Sequence, residues 1–282
     1  APTNDAWLYH WEDYLVKKDV TLSKGYQAIE IKSNSDGSIE EAVIEDIKTG
    51  SKISVKGDYY VMAMPVERCA PLITDSMIQI DKRLDYIKTL AKSVSWMNGI
   101  QYYLSEDLKI NKGHIICSDS EWAVTCISQT QFWDTYNIST KGNGNVRGVL
   151  SVDISDWYTA GKFTTNKTAH ECTREEVAKE VWAQLKASLN IKHEILKDEM
   201  IVDYYLDRDI REKPSSQLKG DELSNIEPLL VNSVNSWSLR PDADCYIPNL
   251  FFAGDYVRTY TDLATMEGAN EAARRAVNCI ID

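Results

Sequence analysis

Near the carboxyl end an apolar, strand-like run, Asn249-Leu-Phe-Phe-Ala253, stops at Gly254-Asp255. A polar stretch follows over residues 256–265, and Met266-Glu267-Gly268-Ala269 opens a small-residue helix that continues through Ile280. Gly254 has no Cβ, so the main chain there can approach a ligand closely. Asp255 can accept hydrogen bonds from ribose or ribityl hydroxyls. A helix starting at Met266 presents free N–H groups and the positive end of its dipole. Together these features suit a ligand that carries both hydroxyls and negative charge. A reduced flavin, charged around N1 and O2, is such a ligand.

Other elements must position that segment. Trp7, Leu8, Trp11 and Leu15 recur at helical spacing and predict an amphipathic helix over residues 5–16. Strands follow over 26–31, 39–47 and 53–55, separated by turns at Asp36-Gly37 and Lys48-Thr49-Gly50. Residues 59–64 form an unbroken apolar strand ending at Pro65, a pattern expected of a strand buried on both faces. Leu84, Ile87, Leu90, Ala91 and Val94 predict a helix over 81–94. Further strands are expected at 101–104, 115–116, 122–128 and 149–154. Thr173-Arg174-Glu175-Glu176 is a capping box opening a helix with Val177, Val181, Leu185 and Leu189 inward. Ala269, Ala272, Ala273 and Ala276 give the last helix a thin face that can lie close to a sheet.

Several of these segments fit one family. Asn249 to Tyr256, followed by Ala264-Thr-Met-Glu-Gly-Ala-Asn-Glu-Ala-Ala, resembles the carboxyl-terminal FAD motif of the flavin amine oxidase and phytoene desaturase superfamily. Asp5 to Trp11, with Leu15 and Val20, is similar to the segment preceding that family's substrate domain. Gly57 to Pro65 is similar to the strand returning from it toward the flavin. Ser120-Glu-Trp-Ala-Val-Thr, Gln129 to Trp133, and Ser236-Trp237-Ser-Leu-Arg240-Pro241 resemble the carotenoid-desaturase-like branch.

The resemblance implies an α+β fold: a mixed or antiparallel substrate-domain sheet backed by helices, plus a strand and helix that complete a Rossmann-like FAD domain. It divides the chain into 1–65, returning to the FAD domain; 66–240, the substrate-binding domain; and 241–282, the FAD-binding strand, loop and helix. It implicates Gly254, Asp255, Thr265, Met266 and Glu267 in FAD contacts. It places Trp237, Arg240, Trp122, Gln129 and Trp133 as candidates near the substrate or flavin. Arg240 has an alternative as a structural ion-pair partner, and the aromatic and amide cluster as core. Arg258 and Asp262 could touch the flavin or pair with each other. The implied chemistry is hydride transfer from a substrate carbon to FAD, with a lipophilic or amine substrate. No acid or base is identified.

Family members begin with a strand, G-x-G-x-x-G and a helix that cradles the pyrophosphate. Here Gly142-x-Gly144-x-x-x-Gly148 has a different spacing and leads into a strand. The expectation is a carboxyl-terminal, substrate-side part that holds FAD weakly or not at all by itself. A partner chain, or an amino-terminal half carrying G-x-G-x-x-G, would complete it. Natural subunit, truncated chain and proteolytic product stay open. Two alternatives are a non-catalytic subunit and a stand-alone binding domain that has lost the flavin.

Composition narrows the other classes. The net charge of -12 disfavours a nucleic-acid partner, because such proteins displace counterions with clustered Lys and Arg. The six cysteines are scattered without a C-x-x-C pair, which fits reduced thiols and a cytoplasmic setting, with membrane association left open. His10, His114, His170 and His193 lack metal-ligand spacing, so no metal is expected.

Overall fold

The computed structural model describes residues 1–214 and 223–282. The fold is mixed α+β and comprises two compact units. One is built from Ala1–Val20 and Trp96–Pro228, the other from Thr21–Ser95 and Leu229–Asp282. Each unit draws on more than one of the stretches 1–65, 66–240 and 241–282.

The first unit centres on a five-stranded antiparallel sheet, in the order Ile201–Leu206, Asn98–Leu104, Gly148–Ile154, Val124–Ser128 and Ile115–Ile116. Side chains alternate across each strand. Ile100, Tyr102, Leu104, Leu150, Val152 and Ile154 point into the core. Gly99, Gln101, Tyr103, Ser151 and Asp153 stand on the other face, and none of them is buried. The helix Arg174–Leu189 covers the core face and buries Val177, Val181 and Leu185, while Leu189 is half-buried. Its capping box forms as expected: the Thr173 hydroxyl accepts from the Glu176 N–H at 3.2 Å, and the Glu176 carboxylate accepts from the Thr173 N–H at 2.8 Å.

Glu180, on the same helix, is fully buried and binds a loop instead of solvent. It accepts main-chain N–H bonds from Lys162, Phe163, Thr164 and Thr165 at 2.9, 3.1, 2.6 and 3.2 Å. The expected amphipathic helix near the amino terminus forms as a π-helical stretch Asn4–Leu8 followed by Tyr9–Val16. None of its residues is buried, and Trp7 stacks on Trp11 with ring centroids 5.9 Å apart. Its apolar stripe thus stays largely exposed, with Trp7 and Trp11 at 41 and 50%.

The second unit contains the meander Tyr26–Ser33, Ile39–Asp46 and Lys52–Val55. The left-handed glycines Gly37 and Gly50, at φ +88° and +70°, make its two turns. The strand Tyr60–Met62 pairs in parallel with Leu250–Phe252. Leu250–Phe252 is buried throughout, but Val61 is 44% exposed. The expectation of burial on both faces therefore fails for Tyr60–Met62, where Met62 is buried but Tyr60 is half-buried and Val61 exposed. The helix expected over 81–94 is shorter: a 3-10 turn, Lys82–Leu84, leads into Asp85–Leu90. Lys92 and Ser93 donate to Thr89 and Leu90, tightening the last turn. Val94 instead joins a strand pair with Leu230. Among the described residues no helix is long and apolar enough to cross a membrane.

Candidate functional site

The second unit assembles the Gly254–Asp255 segment from residues far apart in sequence. Asn249 fixes the start of its strand: the amide donates to Ile39 O at 2.9 Å and accepts from Ile39 N at 2.8 Å. At the strand's end, Ala253 N donates to Met62 O at 3.1 Å. Gly254 then takes φ +117°, a region closed to most side chains. A Cβ there would lie 3.1 Å from Tyr256 Cε1 and 3.4 Å from Met64 O. The buried Tyr256 hydroxyl donates to Met62 O at 3.0 Å, with Cys69 Sγ 3.4 Å away. Burial pushes the Cys69 thiol up to about 12, with the Tyr256 hydrogen bond opposing.

Behind the turn sits Arg240, 2% exposed. Its Nη1 donates to Asp255 O at 2.6 Å. Its Nη2 donates to Asn232 Oδ1 at 2.8 Å and to Asp262 O at 3.2 Å. Burial lowers its pKa, while the charges of Asp262 and Asp255 work the other way. Of the two readings open for Arg240, the structure shows a guanidinium bound mainly to carbonyl oxygens. The Asp255 carboxyl is desolvated and its pKa raised, with Arg240 opposing the shift.

The loop is held by its own side chains. Asp262, at φ +46°, accepts from Thr259 N at 2.7 Å and from Trp237 Nε1 at 2.7 Å. The Arg258 guanidinium lies 4.6 Å from the Trp237 ring centroid and 3.4 Å from Asp242. Arg258 and Asp262 therefore do not pair with each other, because Asp242 and Trp237 take them up. The buried Arg258 Nε has no hydrogen-bond partner among the described residues.

At the helix Met266–Ile281, Thr265 is the N-cap, its hydroxyl accepting from Gly268 N at 3.1 Å. A Cβ on Gly268 would lie 2.7 Å from Leu263 O, so the loop closes tightly on the helix. Of the expected face, Ala272 and Ala276 are buried, Ala269 is half-buried and Ala273 is exposed; Gly268 completes the buried stripe, which follows the i, i+4 spacing of the helix. Met266 and Glu267 are exposed in the first turn, where N–H groups have no intrahelical acceptor.

Thus Gly254, Asp255, Thr265, Met266 and Glu267 lie on one turn, loop and helix start of the second unit, and Trp237 and Arg240 reach them from the 3-10 turn Ser236–Leu239 and its C-cap. Trp122, Gln129 and Trp133 lie in the first unit and do not form one wall. Trp122 has no exposed surface, and its Nε1 donates to Thr159 O at 3.0 Å. Gln129 N donates to Val149 O at 2.8 Å. Trp133 packs edge-on against Tyr136 and lines a polar hollow of about 340 Å³. Sequence reasoning missed Tyr256 and Asn249 as anchors. The isolated polar Asn before the apolar run was a signal for the latter.

A strand ending in a left-handed Gly, a desolvated Asp and a capped helix start lie together near the carboxyl end of this unit. The family model for flavin containing amine oxidoreductase covers residues 12–281. The chain belongs to this family. The family's cofactor is a flavin.

Solved structures share the fold. An oxidoreductase from Methanosarcina mazei matches with a TM-score of 0.53 and 10% identity, over 96% of this chain and 52% of that one. Cyclohexylamine oxidase from Brevibacterium oxydans matches at 0.52 and 10% identity, over 96% and 51%. A putrescine oxidase variant matches at 0.50 and 13% identity, over 91% and 48%. The chain thus spans about half the length of these structures. No curated protein matches it.

Proposed function

We propose that this chain supplies the substrate side and the carboxyl-terminal FAD-contacting elements of a flavin-dependent oxidoreductase acting on an amine or a lipophilic substrate. The observation that carries this is the Gly254–Asp255 turn, braced by Arg240 and followed by a Thr265-capped helix start. These residues fit a flavin. Gly254, at positive φ, lets the main chain turn tightly against Tyr256 and Met64 O. The Asp255 carboxylate meets the main-chain N–H groups of Asp255 and Tyr256 but no side-chain donor among the described residues, which leaves it lone pairs for ligand hydroxyls. The first-turn N–H groups of Met266 and Glu267 favour negative charge. When bound, FAD accepts the hydride from the substrate carbon.

The chain's own part is binding and orientation. Asp255 accepts from hydroxyls while Arg240 keeps its main chain in place. Thr265 takes one N–H and leaves the two before it free. Trp237, tied to Asp262 and covered by Arg258, stiffens the loop between them.

A nucleotide-binding half carrying G-x-G-x-x-G, in a partner chain or a further segment, completes the cofactor site in this reading. Supporting it is the exposed apolar surface of the second unit: Tyr59, Val61, Val277 and Ile281 are 54, 44, 50 and 75% exposed. The test is visible absorbance of the chain with added FAD, alone and with such a half. A bound-flavin spectrum with the half and none without it supports the reading. Tight FAD binding by the chain alone contradicts the need for the half, and no binding with the half contradicts the cofactor role.

A further inference from the structure

The five-stranded sheet of the first unit ends on the short strand Ile115–Ile116, which pairs antiparallel with Val124–Ser128. Ile115 faces Cys126, and Ile116 faces Thr125. Cys117 N donates to Val124 O at 3.0 Å, so the register runs one residue further. Cys117 therefore sits opposite Val124 and diagonal to Cys126. Side chains alternate along a strand, so the two thiols share one face. It is the core face: Cys117 and Cys126 are 3 and 0% exposed. Diagonal neighbours lie within side-chain reach, and here the thiols hydrogen-bond each other. The other four cysteines lie outside the strands.

The turn between the two is braced. Ser120 Oγ donates to Cys117 O and accepts from Val124 N, both at 2.8 Å. Ser188, near the end of the covering helix, shares its hydroxyl between the Cys117 thiol and Asp119 Oδ1, the latter at 3.1 Å. The two sulfurs differ in character. The hydrogen bond with Cys126 draws the Cys117 thiol down to about 7, against burial and with Ser188 adding. The same bond pushes the Cys126 thiol up, and burial adds to it. Burial pushes Cys69, Cys172 and Cys245 up to about 12, 11 and 11, and raises Cys279 as well. Cys117 is thus the nucleophilic member of the pair, and Cys126 keeps its proton.

We propose that Cys117 and Cys126 are a reversible thiol–disulfide site, closed by hydrogen peroxide and opened by a dithiol reductant. The Cys117 thiolate attacks one peroxide oxygen: the S–O bond forms, the O–O bond breaks, and hydroxide leaves and takes up the proton that Cys117 gave. The Cys126 sulfur then attacks the Cys117 sulfenic acid: the S–S bond forms, the S–O bond breaks, and the leaving hydroxide takes the Cys126 proton. Each sulfur gives one electron, and peroxide takes both in becoming two waters. The diagonal offset requires a strand to shift before the sulfurs can bridge, because a disulfide has narrow geometry. Ile115–Ile116 is the strand that can give: it is short, lies at the sheet edge, and leaves Ile116 73% exposed. The same local opening brings the buried Cys117 to solvent. Capture by Cys126 spares the sulfenic acid from irreversible oxidation. The site stands on the register of this sheet and does not depend on the flavin reading.

The experiment is mass spectrometry of the folded full chain after treatment with a small excess of hydrogen peroxide at neutral pH. Cleavage after Glu121 places the two cysteines on separate peptides. The native chain should lose the mass of two hydrogens, and its Cys117 and Cys126 peptides should stay joined until dithiothreitol releases them. Cys117 should be consumed about tenfold or more faster than the four cysteines outside the pair. Cys126→Ser should stop at a Cys117 sulfenic acid that dimedone traps, and Cys117→Ser should leave Cys126 a free thiol. Circular dichroism checks the fold of both variants, and the joined peptides of the native chain test the proposal without them. A folded native chain overturns it if Cys117 and Cys126 stay reduced, if a different pair is joined, or if Cys117 runs on to the sulfinic acid with no joined peptides.

Discussion

Arg240 donates from Nη1 to the main-chain oxygen of Asp255 at 2.6 Å, so a buried cation holds the candidate flavin turn through its backbone and leaves the Asp255 carboxylate to other partners. The same guanidinium reaches Asn232 and Asp262, tying the approach segment, the turn and the loop into one structure. A planar fork with several donors suits three oxygens in different directions, which an ammonium cannot match.

Arg240→Met should therefore destabilise the protein by on the order of 3 kcal/mol, because buried acceptors lose their donors. Arg240→Lys should recover only part of that loss. Urea unfolding of the two variants measures both. Equal stability of Arg240→Met and the native chain would show that the bracing is dispensable.

Gly254→Ala forces a Cβ into a left-handed backbone region beside Tyr256 and Met64 O. A cost of about 1–3 kcal/mol is expected from the strain. Flavin affinity of the completed enzyme should fall as well, since the turn must shift. Thermal unfolding and flavin titration of the variant read the two effects separately.

Glu180 sets an acid limit on the first unit. Burial alone would raise its pKa, but main-chain donors at Lys162, Thr164 and Phe163, with Gln184, outweigh it and bring it from 4.5 to about 2. A carboxyl with a depressed folded pKa adds stability that is fully present above its unfolded value. That contribution, on the order of 3 kcal/mol, is lost as pH falls from about 4.5 toward 2. Glu180→Gln should be less stable at neutral pH and show a flatter stability profile across this acid window. A native-like acid profile in the variant would contradict the assignment.

Tyr256→Phe removes the donor to Met62 O and leaves that buried carbonyl without the hydroxyl. A loss of about 1–2 kcal/mol is expected in urea unfolding. The Cys69 thiol, relieved of its neighbour but still buried, should stay unreactive toward thiol reagents at neutral pH in the folded protein.

Local signals in the chain proved reliable where the physics is local. The turns at Gly37 and Gly50 and the Thr173 capping box depend on residues within a turn of each other. The strand, Gly254-Asp255, loop and helix order was legible for the same reason. What was not legible depends on distant partners. The apolar stripe of residues 81–94 reads as one helix, yet Val94 pairs with Leu230, far along the chain. The exposure of Val61 follows from what packs on the sheet, not from the strand's own residues. Arg258 and Asp262 are close in sequence and of opposite charge, but Asp242 and Trp237 compete for them in space. The open sheet face with Asp153 was written in period-two alternation at Gln101 and Tyr103, and at Ser151 and Asp153, but only the register brings those pairs together.

The central claim is that the Gly254–Asp255 turn and the helix start behind Thr265 hold FAD. Its most direct measurement is the FAD dissociation constant of the chain joined to a nucleotide-binding half, native against Asp255→Ala. Loss of the hydroxyl-accepting carboxylate should weaken FAD binding by about tenfold or more, with the fold intact by circular dichroism. Identical affinity in the two proteins would contradict the account.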